Sequence, residues 1–429
     1  MVALEDTSLI TGWLPVALTV AAALSLIWLV VRRGRSWWRV WIPTCVVATG
    51  LVTVAVYVFV ENVWHPFPDP LAPSVYVWIG IGVLAVILGV CRTIVDNGIL
   101  RRIATATATL LVVVTAAAHV NLEFDAYPTV RSLFGPSVDA VAFDEVPRST
   151  EPPSVPVSEW TPPTDLPTEG KVASTPIPGT VSGFSARDAE IYFPPAYFAS
   201  PRPQLPVLVL LAGQPGSPQD WLVGGTLTET MDTFAAEHDG LAPVVIVADG
   251  TGSEIANPLC VDSPLGNVAT YLSQDVPAWI EANLDVSRDP STLAIGGLSY
   301  GGTCAFQMTT NHPEVYPTFI DLSGQIEPTL GDRQKTIDTA FGGDVRAFEA
   351  VNPMDLLKTR RYPGVAGAFV VGSSDDEYRP GLQAVYEAAK AAGMDVHYLE
   401  VDGGHSFAVW SAGLKSQLDW LAHRTGLTR

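Results

Sequence analysis

The chain has 429 residues, 48% of them apolar, and a formal net charge of −20. That length allows two or three domains, and the mean hydropathy of +0.27 exceeds what a wholly soluble globular protein carries. The acidity excludes DNA or RNA as a partner of the bulk of the chain.

Residues 12–32, 40–60, 75–95 and 103–120 form four runs of about 18 to 21 mostly apolar residues, enough for a helix to cross roughly 30 Å of hydrocarbon. Helices of a soluble core keep a polar face, and these runs have almost none, so four transmembrane helices are expected. A cleaved signal peptide would account only for the first run, and its basic residues would come before it. Here Arg32, Arg33, Arg35 and Arg39 come after it, and Arg92, Arg101 and Arg102 flank the turn between the third and fourth runs. The N-terminal "MVALEDTSLI" and the loop "ENVWHPFPDPLAPS" contain no Lys or Arg. The positive-inside rule therefore predicts cytoplasmic Arg-rich turns and places everything after residue 120 outside the membrane. That outer part holds 17 basic against 39 acidic residues, a net of −22, which keeps it soluble and repels anionic headgroups.

Two of the four cysteines, Cys45 and Cys91, lie in the apolar runs and read as small apolar fillers. Cys260 and Cys304 are the only pair beyond residue 120, and an oxidising compartment predicts a disulfide between them. No Cys or His spacing points to a metal, and no motif calls for a cofactor.

Residues 121–180 are rich in Pro, Ser, Thr and acidic side chains, with nine prolines between Pro147 and Pro178, and read as an extended linker. From residue 181 to 429 short apolar, β-branched runs alternate with helical stretches. The strand candidates are "AEIYF" (189–193), "PVLVLLA" (206–212), "PVVIVAD" (243–249), "TLAIGG" (292–297), "TFIDLSG" (318–324), "GAFVVGS" (367–373) and "VHYLEV" (396–401). Several are apolar throughout, as strands buried on both faces must be, so the fold class is α/β with a mainly parallel sheet. Sites in such folds form at the carboxyl ends of the strands.

The stretch "GGLSYGGTC" supplies the candidate nucleophile. Gly297-Leu298-Ser299-Tyr300-Gly301 fits G-x-S-x-G, directly after the strand "TLAIGG" and at the start of a helical segment, the setting in which that turn lifts a serine hydroxyl clear of a sheet. A serine needs a base to take its proton. Among seven histidines, His65 and His119 fall in the membrane part, and His238, His312, His397 and His423 have ordinary readings at helix ends or within a strand. His405, on the Gly-Gly loop after the last strand, alone completes the chain order serine, acid, histidine. The acid comes from "GSSDDEY", where Asp375 at the turn is favoured over its neighbour Asp376. For the oxyanion, the backbone N–H of Tyr300 is one expected donor. Gln214 in "GQPGSPQDW" is the other, because Pro215 has no N–H. Asp220 and Trp221 either line the pocket or begin a helix.

At these residues the chain resembles the esterase family of α/β-hydrolases, which includes esterase D type enzymes and the mycobacterial antigen 85 mycolyltransferases. The likeness spans roughly residues 183–425 and rests on "PVLVLLAGQPG", "CVDSPLGNVATYLSQDVPAWI", "GGLSYGGTC", "FVVGSSDD" and "GGHSFAVW". It implies a serine hydrolase with Ser299, Asp375 and His405 as triad and oxyanion donors at Gln214 and Tyr300. Antigen 85 enzymes differ in carrying a secretory signal in place of four spans and a glutamate in place of Asp375. The expected activity is hydrolysis of an ester in an envelope lipid, acylated glycan or aminoacyl-lipid by a domain anchored in the bilayer. Acyl transfer of the mycolyltransferase type and a catalytically silent envelope-binding role are the alternatives.

Overall fold

The computed structural model describes residues 4–64, 66–96, 98–136, 140–147 and 155–428, and divides into two compact units, Met1–Gly135 and Pro136–Arg429. His65, named above, and residues 137–139 and 148–154 of the expected linker lie outside the described residues.

The first unit contains four helices long and apolar enough to cross a membrane: α1 (Trp13–Val30), α2 (Trp37–Trp64), α3 (Pro73–Val95) and α4 (Ile99–Phe124). Helix α3 packs against α4, α2 and α1. Large apolar side chains such as Leu24 (64% exposed) and Leu51 (68%) point outward, the arrangement that lipid rewards and water does not. Polar groups pair among themselves. The Asp96 carboxylate accepts from Arg32 Nε at 2.9 Å and from Arg92 Nε at 3.4 Å, and Arg92 also donates to the carbonyls of Trp28 and Val31. The Cys45 and Cys91 thiols form no disulfide, and Cys45 Sγ donates to Cys91 Sγ at 3.5 Å.

The second unit is built on a nine-stranded sheet. Its strands are β1 (Val141–Ala142), β2 (Lys171–Thr175), β3 (Ala189–Phe193), β4 (Val207–Leu211), β5 (Val244–Ala248), β8 (Leu293–Leu298), β9 (Thr318–Leu322), β10 (Ala366–Gly372) and β11 (Asp395–Val401); β6 (Asp262–Ser263) and β7 (Gly266–Asn267) form a separate hairpin. The order is β1-β2-β3-β5-β4-β8-β9-β10-β11, antiparallel only where β3 meets β2 and β5. The all-apolar runs become central strands β4, β5 and β10, and every residue of these and of β9 is buried. Helices α5 (Tyr300–Asn311), α6 (Arg379–Ala391) and α7 (Phe407–Arg424) pack on β8 to β11. Helix α6 gives way to Gly393 at φ 90°, a backbone geometry that glycine adopts freely at a helix end.

The stretch 121–180 departs from an extended linker. It carries β1 and β2, and β2 pairs along its whole length with β3, placing Val172 opposite Tyr192. A strand at the margin of a sheet needs few apolar residues, here Val172 and Ala173, and the surrounding prolines mask so short a signal.

Candidate active site

Parallel strands β4, β5, β8, β10 and β11 end at one rim, and the loops beyond them hold the predicted residues. Ser299 sits between β8 and α5 at φ 53° and ψ −118°. Its N–H donates to Leu322 O of the neighbouring strand at 2.7 Å, which pins the turn to the sheet. The flanking glycines are required by contact. A Cβ on Gly297 would lie 2.4 Å from the Gly301 carbonyl, and one on Gly301 would lie 2.3 Å from Leu211 O.

The loop after β11 brings His405 over the rim. It is held by Ser374 N–H donating to Gly403 O at 2.8 Å, and the Gly403 and Gly404 carbonyls rest against Gly372 at the end of β10. His405 Nε2 lies 2.9 Å from Ser299 Oγ, and Nδ1 lies 2.8 Å from Asp375 Oδ2. A carboxylate only accepts, so Nδ1 carries the proton and Nε2 is left to accept from the serine hydroxyl. Asp375 is 4% exposed, and its Oδ1 accepts from Tyr378 N–H at 3.2 Å. Asp376, with its side chain 88% exposed, pairs with Arg379 at 3.1 Å and faces water. Of the two candidate acids, only Asp375 is hydrogen-bonded to the imidazole.

Tyr300 opens α5, where a backbone N–H has no acceptor within the helix. Its phenol is buried, donates to Gly250 O at 3.0 Å and accepts from Cys260 N at 3.2 Å; burial drives its ionisation far above the ordinary range. The loop after β4 lies beside the serine. Gly213 faces it so closely that a Cβ there would be 3.6 Å from Ser299 Cβ, and Gln214 Nε2 donates to Ile255 O at 2.9 Å. Trp221 is core, its Nε1 donating to Leu211 O at 3.0 Å. Asp220 opens the short helix Asp220–Val223 and accepts from Ser217 N and Oγ; burial lifts its carboxyl above the usual value despite those bonds. Cys260 and Cys304 form a disulfide that ties the loop after β5 to α5, with their Cα atoms 5.5 Å apart. Of the other described histidines, His397 bonds to Gln417, His238 to Phe234 O and His119 to Thr19, so these serve local structure.

Three features of this rim escape a reading of the sequence. Asp249, at the end of β5, is buried, which pushes its carboxyl up; hydrogen bonds from the side chain and backbone of Arg187 overcome that and leave it below the ordinary range. Asp321 in β9 is 1% exposed beneath the serine turn, its Oδ1 accepting from Gly324 N at 2.8 Å, and burial raises its carboxyl to about 7. Aromatic rings enclose the imidazole: Tyr378 stacks on it, and Trp410 meets it edge to face. The Arg187–Asp249 and Tyr378–His405 contacts join residues distant in the chain and leave no periodic or spacing signal. Among the described residues no group of three His, Cys, Asp or Glu could hold a metal ion.

The sequence model of the family "Putative esterase" matches residues 185–421. An uncharacterised protein of Corynebacterium glutamicum is 42% identical over 441 residues, covering 99% of this chain and 98% of that one. The diacylglycerol acyltransferase/mycolyltransferase Ag85C of Mycobacterium leprae is 36% identical over 62 residues, 14% of this chain and 18% of that one. Among solved structures, a ferulic acid esterase superposes with a TM-score of 0.52 at 19% identity, covering 60% of this chain and 99% of that one, a likeness of fold. A sheet of this topology, a serine on a strained strand-to-helix turn and a match over more than half of the chain lead to one assignment: the protein belongs to the Putative esterase family of α/β-hydrolases, serine hydrolases of carboxylic esters.

Proposed function

We propose that this chain is a membrane-anchored esterase whose second unit works on the outer side of the bilayer, cleaving an ester of an envelope lipid, acylated glycan or aminoacyl-lipid. The reading is carried by one observation, the unbroken hydrogen-bond chain from Ser299 Oγ through His405 to Asp375 at 2.9 and 2.8 Å. As Ser299 Oγ bonds to the acyl carbon, its proton moves to His405 Nε2, and the carbonyl oxygen becomes an oxyanion facing Tyr300 N–H and the Gln214 loop. His405 then protonates the leaving alcohol as the acyl C–O bond breaks. Water, deprotonated by the same imidazole, hydrolyses the acyl-enzyme and restores Ser299. Asp375 holds the imidazole tautomer and balances the imidazolium charge. The outward orientation is supported by the Arg-rich turns, and the envelope substrate by the anchor alone.

The 62-residue likeness to a named acyltransferase favours one second reading, in which an acceptor alcohol replaces water at the last step. Product analysis separates the two, because a transferase forms a new ester when an acceptor sugar is supplied. The esterase reading itself is tested with a fluorophosphonate probe on the purified full chain. Wild type is expected to be labelled and Ser299→Ala to be silent, with turnover lower by about 10⁴-fold or more. Folded wild type that takes no label points instead to a silent binding protein.

A further inference from the structure

We propose that Tyr378 is a positioning residue for His405, a flat aromatic face that stabilises the imidazolium formed at each proton transfer. The role rests on the hydrolase reading of the site. The two rings are stacked, with centroids 3.9 Å apart and planes 18° from parallel. Trp410 stands at 88° to the imidazole with its centroid 4.9 Å away, a second aromatic ring against the base. Both nitrogens stay engaged, with Ser299 on one side and Asp375 on the other.

Tyr378 is itself held firmly. It is the residue before α6, its carbonyl accepts from Leu382 N at 2.9 Å, and its N–H donates to Asp375 Oδ1 at 3.2 Å. One residue therefore touches both partners of the dyad, the acid through its backbone and the base through its ring. The face of an aromatic ring is electron-rich and attracts a cation more strongly than a neutral ring. When Ser299 Oγ attacks, its proton passes to Nε2 and the imidazole becomes a cation lying against that face. The interaction gains strength between ground state and transition state, which is the condition for raising kcat and not merely binding. Stacking also removes rotation about the side chain that would break one of the two nitrogen contacts. The imidazole is in contact with Asp375, Ser299, Tyr378 and Trp410.

The test compares Tyr378→Phe and Tyr378→Leu with wild type, as full chains in detergent, using a soluble ester and a fluorophosphonate probe. Both variants keep the backbone N–H to Asp375, so they isolate the ring. Phe, which retains the face, should hold kcat within about twofold, and Leu should lower kcat about tenfold at unchanged KM and melting temperature. Labelling of Ser299 should slow in the same ratio, since it needs the same base. A Leu variant with wild-type kcat overturns the proposal, as does a Phe variant that falls as far as Leu. A wild type that neither labels nor hydrolyses would remove the hydrolase reading first, and this role with it.

Discussion

The two units use the same apolar residues to opposite effect. In α1 to α4 many leucines and valines lie on the outside, while in β4 and β5 the same residues are sealed within. Lipid is as apolar as leucine, so burial of carbon cannot hold the membrane helices in register; close packing and paired polar groups must do so. Arg32, Arg92 and Asp96 have that task, and a side chain at Gly89 would collide with Thr109 of α4. In the catalytic unit carbon burial already secures the fold, and the buried carboxyls Asp249, Asp321 and Asp375 cluster where strands end. A sealed carboxyl thus pairs with two arginines in one unit and lies at the rim of the candidate site in the other.

Substituting carboxyls on either side tests that contrast most severely. Asp375→Asn should reduce kcat by about 10³ to 10⁴-fold, because the imidazole loses its tautomer lock. Asp376→Asn and Asp96→Asn should each stay within about twofold. If Asp376→Asn proved the more damaging of the adjacent pair, or Asp96→Asn cut turnover as deeply, the division of roles would fail.

A second prediction concerns Asp321, a carboxyl that forms no ion pair among the described residues. Its folded value of about 7 lies above the ordinary 3.8, so between those limits the folded chain holds a proton that the unfolded chain has released. Stability falls as pH rises through this window and levels off above it, by an amount on the order of 4 kcal/mol for so large a shift. Asp321→Asn cannot ionise and should lack the slope. Thermal melts at pH 5 and pH 8 decide it: parallel losses in wild type and variant would clear Asp321 of responsibility.

The smallest effect is expected from separating the units. Residues 136–429 have their own core, so expressed alone they should turn over a short soluble ester within about twofold of the full chain. A large loss would mean that the first unit does more than anchor.

Much of this contrast can be read from composition. Run length and the lack of a polar face identified the four helices, and uniformly apolar runs marked the central strands to within a residue or two of β4, β5 and β10. Chain order and strand ends led to Ser299, Asp375 and His405, since the chemistry limits which residue types can sit after which strands. Strand β2 stayed hidden because five residues with two buried side chains give almost no periodicity amid prolines. Asp321 reads as one acid in an apolar strand, and only the neighbouring strands and α5 seal it. The Tyr378 stack depends on a loop 27 residues further along folding back, a relation invisible to local pattern.

The positive φ of Ser299 has a consequence for how such a protein can evolve. Few side chains tolerate that backbone geometry, and holding one there costs about 1 to 3 kcal/mol that glycine would largely spare. Durability and reactivity therefore pull this position in opposite directions. A lineage freed from the need to cleave esters would drift towards glycine at 299 and gain robustness as its chemistry disappeared.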